Sequence, residues 1–257
     1  MRLVCAGALL TLAGCSRGLD SHLNTSEGKE KYHASLNAAA KDFSQEELDA
    51  FNWAVSDLSL ENLNARYPGA APRQVIRGEV ALVLAELPAK IVTLEQRASA
   101  YEIVAAELRK VVATDVRFTL QKGSFDLEPV ITATITNGSE YAISDLKWEA
   151  ALFLDGSASP SLHAELFQTF KRTYGSDEPA GLRPGQSTQR RLYIGGLEDD
   201  NWTTLEIQNA GERKVALIVV PSSVRDFGER WYAGDNPAPE LRKLKGVLAA
   251  ARRYQAI

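Results

Sequence analysis

Ile131-Thr132-Ala133-Thr134-Ile135-Thr136-Asn137-Gly138 is the stretch on which the fold turns. Three apolar residues alternate with three threonines, so one face of an extended segment is dry and the other polar, and Asn-Gly then ends the run with a turn. The same alternation continues outward. Downstream, Leu146, Trp148, Ala150, Leu152 and Leu154 alternate with mostly more polar neighbours up to Asp155-Gly156; upstream, Val116, Phe118 and Leu120 do the same from Thr114. Further strands fit Leu162 to Phe170, Ser187 to Ile194, Thr203 to Gln208 and Arg213 to Val220, separated by turn signals such as Pro184-Gly185 and Gly195-Gly196. Seven short strands with no helix between them predict an antiparallel sandwich.

Before Thr114 the period is helical. Tyr32, Leu36 and Ala39 share one side of a segment from Ser26 to about Lys41. Ser44 with Glu47 three residues on is a capping box, and Leu48, Phe51 and Val55 form the stripe behind it. Leu58 to Tyr67 predicts a third helix stopped by Pro68-Gly69, and Pro72 suits the first turn of a fourth that runs to Leu87, where Pro88 kinks or breaks it. Ile91, Leu94, Ala98, Tyr101, Ala105, Leu108 and Val112 then recur at gaps of three and four. That stripe either packs against the earlier helices or makes a coiled-coil contact that leaves the protein oligomeric. After Pro221 the chain is irregular until a last helix, Glu240 to Ile257, striped by Leu241, Leu244, Leu248, Ala251 and Gln255 and flanked by Arg242, Lys243, Lys245, Arg252 and Arg253. The predicted class is α+β: a helical module over 26–113, a β-sandwich over 114–222, and an irregular linker with a C-terminal helix over 223–257.

At the other end, Arg2 precedes an apolar run from Leu3 to Leu12 that is too short to span a bilayer, which takes about 20 residues, and reads as an export signal. Leu12-Ala13-Gly14-Cys15 closes it and resembles the lipobox of bacterial lipoproteins. The resemblance implies cleavage between Gly14 and Cys15, removal of residues 1–14, and a Cys15 carrying two or three acyl chains such as palmitate. Residues 15–25 would be a short polar tether. Ser16, where many inner-membrane lipoproteins carry aspartate, favours the periplasmic face of the outer membrane. Leu19-Asp20 through Tyr32, Ser35-Leu36, Phe43-Ser44, Glu46-Glu47, Phe51 and Ala54 resemble the helical module of a poorly characterised family of small bacterial lipoproteins, a family that implies no catalytic residues. The second half resembles immunoglobulin-like envelope domains, through Leu152-Phe153-Leu154-Asp155-Gly156 and Leu182-Arg183-Pro184-Gly185; Leu154 stands where those domains often carry tyrosine.

Of 257 residues, 243 remain after the leader, enough for one large or two small cores. Both cysteines, Cys5 and Cys15, are spent on leader and lipid, so burial alone must stabilise the body. A net charge of -4 and a pI near 5.6 argue against nucleic acid. No Gly-x-Ser-x-Gly elbow, phosphate loop or dinucleotide fingerprint is present, and His22, His33 and His163 are too scattered for a zinc site, so no catalytic residue, metal or cofactor is assigned. The paired acids Glu46-Glu47, Asp177-Glu178 and Asp199-Asp200 keep a glycan or peptidoglycan hydrolase as an alternative if two of them converge in a pocket. Trp231-Tyr232, with Arg225 and Arg230 nearby, is a candidate surface for an envelope protein partner, or else the aromatic pin of the linker. The expectation is a lipid-anchored envelope protein that binds or supports.

Overall fold

The computed structural model describes residues 18–123, 127–171, 181–194 and 201–257. Contacts divide the chain into two compact units, one running to Thr93 and including Glu240–Ile257, the other Leu94–Pro239. The class is α+β, with the antiparallel sheets of the described residues in the second unit.

The first unit is built from α1 (Lys29–Ala40), α2 (Gln45–Val55), α3 (Leu60–Arg66), the first part of α4 (Pro72–Leu108) and α6 (Ala238–Tyr254). Its helix starts are chemically marked. The Ser44 hydroxyl accepts from Glu47 N–H at 3.2 Å while the Glu47 carboxylate accepts from Ser44 N–H at 2.8 Å. Ser59 likewise accepts from Asn62 N–H at 3.1 Å and starts α3. Leu23, Phe51, Leu63, Val75 and Ile76 are buried together, each contributing about 1.5–3 kcal/mol. The last helix completes this core: Tyr254 lies 5.6 Å ring to ring from Trp53, and Leu248 packs with Leu87 and Ile91.

The second unit holds β1 (Val111–Lys122), β2 (Leu127–Asn137), β3 (Asp145–Leu154), β4 (Leu162–Thr169), β5 (Ser187–Tyr193), the short α5 (Leu205–Asn209) and β6 (Arg213–Val219). These make two three-stranded antiparallel sheets, ordered β1-β2-β5 and β4-β3-β6. The apolar half of each alternation meets in one core, with Ile131 and Ile135 from the first sheet and Trp148, Leu152 and Leu166 from the second. Trp202, Ile207 and Leu108 fill it further. Among the described residues the Trp148 indole N–H has no hydrogen-bond partner. Asn137 at the end of β2 is buried, while Gly138 after it is exposed: the Asn137 amide donates to the carbonyls of Tyr141 at 2.7 Å and Leu182 at 2.9 Å, and accepts from Ser139.

Five expectations are corrected. Pro88 does not end its helix, because α4 continues through it to Leu108. A helix-interior proline costs about 3 kcal/mol, and Val83, Leu84, Leu87 and Ile91 offset it by packing on α6. The 91–108 stripe finds other partners than the earlier helices at its two ends: Ile91 meets α6, and Leu108 joins the sheet core. Val112 belongs to β1 and is exposed. Thr203–Gln208 is not a strand; α5 buries Ile207 and exposes Leu205, which five residues of helix achieve as readily as an alternating strand, leaving six strands among the described residues where seven were expected. In α6 the last buried position is Tyr254, and Gln255 is exposed.

Residues 18–25, expected as most of a tether, are packed into the first unit. Leu19 and Leu23 are 3% and 2% exposed. Asp20 pairs with Arg73 at 2.8 Å, Leu23 N–H donates to Ala70 O at 3.2 Å, and the Thr25 hydroxyl donates to Asn64 at 2.6 Å. Among the described residues no helix is long and apolar enough to cross a membrane.

Candidate functional site

A cleft of about 460 Å³ opens on the outward face of the β1-β2-β5 sheet. Its floor is the polar half of the Thr-Ala-Thr-Ile-Thr alternation, since Ile131, Ala133 and Ile135 point into the core and Thr132 and Thr134 line the cleft. Register brings charge to both sides. Thr132 faces Arg117 on β1 and Arg191 on β5, and Thr134 faces Thr114 and Gln189. Directly opposed side chains in antiparallel strands stand about 4.5–5.5 Å apart at Cβ, so Arg117, Thr132 and Arg191 form one row across the sheet.

The cleft owes its shape to an irregularity. Pairing of β1 with β2 shifts between Thr114 and Arg117, and Asp115 in that shift has φ 50°. Such a bulge bends the strand and re-aims its side chains, here placing one carboxylate beside the arginines. The Arg191 guanidinium donates to Gln121 Oε1 at 2.6 Å and lies 5.6 Å from the Tyr193 ring centre. Arg190, which also lines the cleft, lies over Phe170 at 5.8 Å. Among the described residues no ion pair involves Asp115, Arg117 or Arg191. Forked guanidinium donors around a row of hydroxyls suit recognition of carboxylates or phosphates, with the amide of Gln189 able to donate or accept.

Trp231 and Tyr232, taken together in the sequence, separate in the structure. Tyr232 is the pin: its hydroxyl donates to Ala142 O at 2.7 Å, and its ring lies 4.5 Å from that of Tyr141. Burial raises the pKa of that hydroxyl above the ordinary tyrosine value, with Asp226 adding to the effect. Trp231 is 56% exposed, with the Arg225 guanidinium 4.5 Å over its ring. The segment bearing them is held by buried Asp145, which accepts from Ser144 Oγ at 2.7 Å and pairs with Lys171 at 3.2 Å, while Lys171 reaches Glu229 at 2.8 Å. Burial pushes the Asp145 carboxyl up, but the hydrogen bonds from Ser144, Thr169 and Lys171 together hold it below its ordinary value of 3.8.

The remaining candidates lie apart. Gly14 and Cys15, and the acids Asp177, Glu178, Asp199 and Asp200, fall outside the described residues. Glu46 and Glu47 sit in the first turn of α2, Glu47 in the capping box and Glu46 3.5 Å from Arg253. His22 contacts Gly69 O at 2.8 Å, His33 packs near Tyr32, and His163 lies 3.5 Å from Glu149 on the other sheet. Among the described residues no three His, Cys, Asp or Glu side chains form a group able to hold a metal.

The sequence marks the outward threonines but not the cleft; Arg117 and Arg191 occupy outward positions in their own runs, and only the strand register shows that they flank the same threonine. Comparison with protein families, with curated proteins and with solved structures finds no match.

Proposed function

We propose that the protein is a lipid-anchored component of the bacterial cell envelope, attached through Cys15 on the periplasmic face of the outer membrane, and that its β unit is an immunoglobulin-like sandwich used for binding. The lipobox supports the anchor. Two antiparallel sheets sharing one core support the sandwich reading, with three strands in each. The observation that carries the binding role is the row Arg117-Thr132-Arg191, a cationic and hydroxyl-rich strip on a sheet face whose opposite side packs on the core. A partner or ligand bearing carboxylate or phosphate groups fits that strip.

A photo-crosslinking residue placed at Thr134 in the full chain, in cells, tests the binding role. The expected result is capture of a defined envelope partner or glycan that is lost when Arg117 and Arg191 are both changed to glutamine. Capture that is equal with and without those arginines, or equal from Glu149 on the other sheet, contradicts it.

A further inference from the structure

We infer that the helical unit rests directly on the lipid headgroup layer, through the face around Gly18, Asp20 and Asp42, rather than hanging from the bilayer on a leash. This rests on the lipid-anchor reading of Cys15. If that residue carries the acyl chains, its position is fixed at the boundary between headgroups and hydrocarbon. The structure then leaves very little slack, because the chain is already locked into the folded unit at Gly18. Leu19 is buried, Asp20 is held by Arg73, and Leu23 is paired to Ala70.

From Cys15 to Gly18 is three residues, and fully extended chain covers at most about 3.6 Å per residue, so Gly18 lies within about 11 Å of the anchor. Part of that length is spent crossing the headgroups, since each headgroup layer accounts for roughly 5–8 Å of bilayer thickness. The remaining gap is smaller than one helix diameter, about 10 Å. A body fixed at such a point touches the membrane with whatever surrounds the point. A Cβ on Gly18 would lie 3.4 Å from Asp42 Cβ, so the α1–α2 turn, with exposed Lys41 and Asp42, belongs to that face. The surroundings carry both signs, with Asp20 paired to Arg73 and Glu46 to Arg253. The contact is therefore set by tether length and not by attraction to anionic lipid, and salt should not release it.

The test uses the lipidated full chain in vesicles of phosphatidylethanolamine and phosphatidylglycerol containing a nickel-chelating headgroup lipid. A nitroxide is attached at Asp42→Cys or at Lys90→Cys, an exposed position about 25 Å farther along α4 than Arg73. Relaxation by nickel should be several-fold stronger at position 42 than at 90 and unchanged by raised salt. Inserting about 20 Gly/Ser residues between Arg17 and Gly18, roughly 25 Å in r.m.s. span, should bring the two positions to the same low value while the protein still floats with the vesicles. Flotation with equally weak relaxation at 42 and 90 in the uninserted chain would overturn the inference and leave the anchor standing. Failure of the uninserted chain to float would remove the anchor and this inference together.

Discussion

The two units spend their polar side chains differently. In the helical unit they are committed to the fold: Ser44 and Glu47 cap α2, Arg66 and the Tyr67 hydroxyl both reach Glu79, and Arg73 joins Asp20 to the backbone carbonyl of Ile257. In the β unit the outward row of Arg117, Thr132 and Arg191 does less for the fold: among the described residues its side-chain hydrogen bond is that of Arg191 to Gln121. The difference separates polar side chains bonded within the helical unit from a row on the sheet face that turns hydrogen-bonding groups outward, the row on which the proposed binding role rests.

The comparison can be broken most forcefully at α6, which joins the helical core from the far end of the chain. Tyr254→Ala removes a ring packed on Trp53 and should cost about 3–5 kcal/mol, with amide exchange protection falling in α2 and the start of α4 and holding in β2 and β3. Equal loss in the strands would show that the two units unfold as one. The reciprocal change is Gly181→Ala. Gly181 has φ 85° and a Cβ there would lie 1.8 Å from Phe227, so a loss of about 2–4 kcal/mol confined to the β unit is expected from chemical denaturation followed by exchange.

Gly78→Ala sharpens the contrast at smaller scale. In an open helix this change gains about 1 kcal/mol, but at Gly78 the new methyl would sit 2.4 Å from the Tyr67 hydroxyl and disturb its bond to Glu79. A net loss of about 1 kcal/mol is expected; a gain would mean that Tyr67 moves aside freely. The smallest effect is on pH dependence. Asp145 is held below 3.8 in the folded chain, so its contribution to the β unit is in place above that value and is lost as pH falls through the lower folded value. Asp145→Asn should flatten the acid limb of β-unit stability and leave that of the helical unit unchanged.

Much of this plan was legible in the residues. The capping box at Ser44, the Pro68-Gly69 stop and the alternation through β2 and β3 are local signals, and local chemistry carries them through. What failed was non-local. Pro88 reads as a break until α6 is known to pack over it, and Leu205 with Ile207 satisfies either a strand or one turn of helix. Leu19 and Leu23 look like tether because the core that receives them is made by residues far along the chain, from Ala50 to Val80 and Tyr254. The cleft was invisible for the same reason: Arg117 and Arg191 are 74 positions apart and meet only through register with Thr132.

The anchor on which both the envelope placement and the membrane contact depend is tested most directly by mass spectrometry of the amino-terminal peptide from membrane-extracted native protein. The predicted result is a first residue Cys15 carrying a diacylglyceryl thioether. An unmodified Cys15 thiol, or a peptide in which Gly14 still precedes it, would contradict the anchor outright.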